Sequence, residues 1–124
     1  MKIERFENLE IWIEARELCK TIFGITEKEP FNKDFKFRDQ IRASSGSVMD
    51  NIAEGFERGG NKEFVQFLSI AKGSCGETRS QSYRAFDYGY INLETQDKIN
   101  SQTILVSKKI SSLIMSLLRK VFYP

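Results

Sequence analysis

Apolar side chains recur every three or four residues through four long stretches of this chain, and proline or glycine marks each gap between them. That period follows the 3.6-residue turn of an α-helix, and no segment alternates with the period of two that a half-buried strand needs. The first stretch runs from about Leu9 to Ile25, with Leu9, Trp12, Ala15, Cys19 and Ile22 on one face and Asn8 as the N-cap. Ile11, Leu18 and Ile25, seven residues apart, draw a second apolar line. Pro30 follows the first helix, which has to end before it because the residue preceding a proline is pushed out of the α region.

The second helix is predicted from Asp34 to Arg58 on Phe37, Ile41, Val48, Ile52 and Phe56, and Gly59-Gly60 closes it. The third covers 61–87, with Asn61 as its cap and Glu63 in the first turn, where the helix dipole favours a negative charge. Phe64, Phe67, Leu68, Ala71, Cys75, Thr78 and Phe86 mark its buried side, and Gly89 stops it. The fourth covers 93–122, capped by Asn92, with Ile99, Thr103, Val106, Ile110, Leu113, Leu117 and Val121 on one face. Four long helices with short connections predict an all-α fold, a single antiparallel up-down-up-down four-helix-bundle domain over residues 1–124.

Composition narrows the chemistry. With no histidine in 124 residues, the chain lacks the base of Ser-His-Asp and Cys-His mechanisms, the HExxH zinc site and the Glu-x-x-His ligands of di-iron bundles. No cofactor, no metal and no enzymatic activity are expected. Cys19 and Cys75 lie inside apolar helical patterns, which reads as two free, buried thiols rather than a disulfide. A net charge of +2 is too small to announce a nucleic-acid or membrane partner by itself. No apolar run approaches the roughly 18 residues of a membrane span, and no signal peptide is expected.

Several groups are candidates for more than packing. Ala43 to Ser47 on the second helix face Ala71, Gly73, Ser74 and Cys75 on the third if the turn between them is tight. Glycine in a helix costs about 0.5–1 kcal/mol relative to alanine, so Gly46, Gly73 and Gly76 need a reason, and close helix approach is favoured over a ligand groove. Counting outward from the turn sets Arg42 level with Glu77 and Ser47 level with Lys72, which predicts an Arg42–Glu77 ion pair. Glu54 and Glu77 are a candidate acid–base couple, and charge pairing is the ordinary use of such residues. Gly55 to Gly60, with Arg58, Asn61 and Lys62, lacks the spacing of a phosphate loop and serves as a turn.

The fourth helix has no acidic residue after Asp97, while Lys98, Lys109 and Lys120 repeat every eleven residues and Lys108 and Arg119 repeat beside them. Eleven residues is close to three turns, so the cations form a stripe, either a solvated flank or a surface for phosphate backbones. Ile104, Met115, Leu118 and Phe122 form a second apolar line on the same helix. Together with Ile11, Leu18 and Ile25 they predict a homo-oligomer, because a lone bundle needs one buried stripe per helix.

The stretch Gln40 to Val48 through Asn51-Ile52-Ala53-Glu54-Gly55, followed by Glu63-Phe64, Phe67-Leu68, Ile70 to Ser74 and Glu77, resembles the signature of the four-helix-bundle proteins encoded in 23S rRNA intervening sequences. Phe6 to Leu9 with Trp12 is similar to that family's aromatic-led opening; Ser44 to Gly46 and Met49 depart from its pattern. The resemblance implies a cytoplasmic bacterial protein, a ring-like homopentamer without enzymatic activity, and a role beside structured RNA or a ribonucleoprotein. It makes Arg42, Asn51, Glu54, Ser74 and Glu77 a signature polar network. Arg42, Lys72, Lys98, Lys108, Lys109, Arg119 and Lys120 become candidate RNA contacts. The other reading is a protein–protein adaptor ring with no nucleic-acid role.

Overall fold

The computed structural model describes residues 2–124. Four α-helices carry the chain: α1 (Glu10–Thr26), α2 (Phe35–Glu57), α3 (Asn61–Asp87) and α4 (Leu93–Phe122). Short 3-10 turns at Phe6–Asn8 and Phe31–Lys33 precede α1 and α2, and no strand occurs among the described residues.

Side-chain bonds fix the arrangement. Ser47 meets Ser74 at 2.9 Å and Ser44 meets Thr78 at 2.8 Å, so α2 and α3 run antiparallel. The Cys75 thiol donates to the Thr103 carbonyl and Gln96 donates to Ser82, which sets α4 antiparallel to α3. Cys19 donates to the Ser45 carbonyl, and Lys109 of α4 reaches Glu10 and Glu14, so α1 lies between α2 and α4. The result is a four-membered bundle with short connections, the arrangement that period-3.6 patterning favours.

Its interior has two apolar clusters. One gathers Ile11, Ala15, Val48, Ile52, Leu68, Ala71, Cys75, Val106 and Ile110; the other gathers Leu18, Ile22, Phe31, Phe37, Ile41, Ala85 and Ile99. Between these levels the core is polar: Ser44, Ser45, Thr78 and Thr103 are buried, with Gln81 and Ser82 beside them. Thr78 donates toward Ser44, whose hydroxyl in turn donates to Gln81 Oε1 at 2.6 Å. Each hydroxyl in that chain has a partner, which removes most of the cost of burying it.

The ends are built differently. Asp34 caps α2 by accepting the Phe37 amide at 3.3 Å, and its other oxygen accepts the Tyr90 hydroxyl at 2.8 Å. Gly89, at φ +77°, turns the chain after α3 so that the Tyr90 amide reaches the Ala85 carbonyl and its own amide reaches that of Phe86. This Schellman turn sends the Tyr90 ring back onto Phe31 and Phe37. The α1–α2 and α3–α4 connections are therefore fastened to each other. At the opposite end Gly59, at φ +83°, makes the α2–α3 turn, and a cavity of about 630 Å³ opens among Leu9, Phe56, Phe64, Leu117 and Lys120.

Four sequence expectations need correction here. Asn8 does not cap α1, because it lies within a 3-10 turn and Leu9 holds the cap position without a side-chain bond. Asn61 is the first residue of α3 rather than its cap, which falls to Gly60. On α1 the seam facing the core is Ile11, Ala15, Leu18 and Ile22, whereas Cys19 is only half-buried. Ile11 and Leu18 thus belong to the protomer's own core and Ile25 packs against it, so none of the three forms an outward line. The physical reason is that α1 is wedged between two helices, and both of its apolar lines are needed to fill the angle. On α3, Phe86 is 39% exposed; Gln81, Ser82 and Ala85 occupy the buried side in its place.

Candidate functional site

The signature polar residues of α2 and α3 separate into local pairs. Asn51 donates to the Ser47 carbonyl at 2.8 Å and to its hydroxyl at 2.9 Å, and Ser47 continues to Ser74. Glu54 is exposed and pairs with Arg58 one turn later, a contact of small energetic weight on a solvated surface. Glu77 is exposed too and accepts a long bond from Gln81.

Arg42 does not meet Glu77. Its Nε donates to Thr26 at 2.8 Å, its Nη2 reaches Glu27 at 3.2 Å, and its guanidinium lies 4.5 Å from the centre of the Phe23 ring. Arg42 shares the side of α2 carrying Ser45, whose carbonyl receives the Cys19 thiol from α1. The side facing α3 is that of Ser44 and Ser47. Arg42 therefore clamps the C-terminal end of α1, where a cation suits the helix dipole. The turn count also shifts: Ser47 stands opposite Ser74 rather than Lys72, and Lys72 is exposed on α3.

Gly55, expected in the turn, is instead a buried residue of α2, and its role differs from that of the glycines in and beside the small-residue cluster. A Cβ on Gly55 would lie 2.6 Å from Phe67 Cβ and 3.0 Å from Phe64, so this residue permits the close approach of α2 and α3 near their turn. At Gly46, Gly73 and Gly76 nothing lies within 4 Å of such a Cβ. The expectation that these three glycines serve helix approach is corrected: they line open surface.

The basic stripe of α4 is likewise divided. Lys109 turns toward α1 and bonds Glu10 and Glu14, and both carboxylates raise its pKa. Lys98, Lys108, Arg119 and Lys120 are exposed, and none of them is in a salt bridge among the described residues. Beside Lys108 and Arg119, Ile104 is 39%, Met115 55% and Phe122 70% exposed, while Leu118 is half-buried. Ile104, Met115 and Phe122 stand eleven and seven residues apart, which at about 100° per residue keeps them within a narrow arc.

A polar groove between α2 and α3 has no counterpart in the sequence reading. Near the fastened end a hollow of about 300 Å³ is lined by Asp34, Lys36, Phe37, Gln40, Arg84 and Tyr88. A second hollow of about 280 Å³ continues from Gln40 and Arg84 to Glu77, Ser80 and Gln81. Gln40 belongs to the signature, but the pattern of α3 gave no warning that Arg84 and Tyr88 would stand beside it.

Burial pushes the Cys75 thiol up to about 11 and raises that of Cys19, so neither is poised as a nucleophile. Among the described residues no group of three or more Asp, Glu or Cys side chains is placed to hold a metal ion, and no helix is long and apolar enough to cross a membrane.

No curated protein matches the sequence. The chain is similar to a crystallised protein of unknown function from the S23 ribosomal protein family of Bacteroides thetaiotaomicron VPI-5482. The two are 24% identical, with a TM-score of 0.77, over 84% of this chain and 97% of the other, a likeness of fold. The family model described as 23S rRNA-intervening sequence protein matches residues 7–112, which include both signature blocks. The chain therefore belongs to the family of 23S rRNA-intervening sequence proteins.

Proposed function

We propose that this protein is a non-catalytic scaffold that associates with copies of itself, as a ring-like homopentamer, and docks structured RNA or a ribonucleoprotein. The observation that carries this reading is the outward face of α4. There Ile104, Met115 and Phe122 run beside Lys108 and Arg119, while Lys98 and Lys120 lie further round, toward the side on which Lys109 meets α1; among the described residues none of these four cations is in a salt bridge. An apolar line of this kind favours a protein neighbour, and free cations beside it favour phosphate. Lys72 adds a cation on α3, whereas Arg42 and Lys109 are committed within the protomer and contribute little to such a surface.

Titration of a structured RNA hairpin at several salt concentrations tests the reading. Binding through phosphates falls log-linearly with salt, and a protein using four cations has a slope of about −2.8 to −3.6, from about −0.7 to −0.9 per contact. Replacing Lys98, Lys108, Arg119 and Lys120 by Gln should remove most of that slope. Binding that is insensitive to salt, or absent, favours the second reading, an adaptor ring whose apolar α4 line receives a protein.

A further inference from the structure

We infer that the α2–α3 groove takes an unpaired nucleotide of an RNA strand, an inference that rests on the RNA reading above but places the contact on a different face. Three features of the groove converge. Tyr88 is 55% exposed, yet its ring is held edge-on by Phe37 and by Tyr90, each with ring centres 5.7 Å away. An aromatic fixed in place and left open to solvent is a platform on which a base stacks with little ordering cost. One turn earlier on α3, the Arg84 guanidinium lies 4.3 Å from the centre of the Phe37 ring. That stacking fixes its plane while leaving its N–H groups for phosphate.

Charge completes the argument. Among the described residues neither Arg84 nor Lys36, which faces it from α2, is in a salt bridge. The carboxylates of the groove are occupied instead: Asp34 accepts from the Phe37 amide and the Tyr90 hydroxyl, and Glu77 from Gln81. Both carboxylates keep their charge, so the groove balances two cations against two anions, and the phosphate contact falls to Arg84, whose N–H groups have no carboxylate partner among the described residues. Gln40 and Ser80, both exposed along the groove, supply donors and acceptors for a base edge and a 2′-hydroxyl. A duplex presents no splayed base to Tyr88, so the groove distinguishes single strands from helices.

Fluorescence anisotropy with a labelled single-stranded oligouridylate and a labelled RNA duplex of equal length separates the possibilities. Tyr88→Leu should weaken single-strand binding by roughly 5- to 100-fold and leave duplex binding unchanged, as loss of one stacked base would. Arg84→Gln should weaken single-strand binding and lower its salt slope by about one contact. Circular dichroism melting confirms that both variants stay folded. If the unaltered protein binds RNA and Tyr88→Leu binds the single strand equally well, the groove inference is overturned while the RNA reading stands. If the unaltered protein binds neither RNA, both fall.

Discussion

At the residue scale, glycines that look alike in sequence do opposite work. Gly55 is where α2 and α3 touch, and a methyl group there meets the Phe67 Cβ. Gly55→Ala should destabilise the protein by about 1–3 kcal/mol through overpacking. Gly73→Ala, on an exposed helical position with open space around it, should stabilise by about 0.4–1 kcal/mol by restricting the unfolded chain. Urea unfolding of the two variants checks the contrast; equal effects would contradict the assigned roles. Local patterning does not predict these roles, since it reads Gly55 as part of the turn and Gly73 as a small residue facing α2. The difference arises from where the interhelical distance is shortest, a tertiary property. The same limit hid the partner of Arg42, because composition offered Glu77 across the turn while the side of α2 that Arg42 occupies faces α1.

At the element scale, helix existence and order were legible because the 3.6-residue period is strong, and Gly59, Gly89, Asp34 and Asn92 mark boundaries by known chemistry. The positive φ of both glycines and the 2.8 Å bond from the Thr95 amide to Asn92 follow that expectation. The seam of α1 was not legible. Both of its apolar lines feed the core, and which members of each are buried depends on the angle at which α2 and α4 enclose it. The link between the two connections at one end makes a pH-dependent prediction. The Tyr90 hydroxyl donates to Asp34, and that bond raises the tyrosine pKa above its ordinary value of 10.0. A raised folded-state pKa means the contribution is fully present below pH 10 and is lost as pH climbs through the raised value. Thermal melts should therefore show Tyr90→Phe less stable than the unaltered protein at pH 8, with the gap narrowing as the pH rises above 10. A gap that is constant with pH would show the bond to be incidental.

For the whole molecule, the outward face of α4 sets the question of assembly. Ile104 and Met115 are exposed and outside both core clusters, so the double variant Ile104→Glu/Met115→Glu should leave the protomer fold intact and yield a smaller mass in light scattering. An unchanged mass would place the interface elsewhere. The polar layer between the two apolar clusters bears on the same surfaces from within. A purely aliphatic interior could slide by one turn along its axis with little loss. Here any such slip strands Ser44, Thr78 and Gln81 without their mates, so only one offset between the helices is tolerated. The hydroxyl belt thus works as a ruler, and whatever grips the outside meets contact points whose spacing has been measured out from the inside.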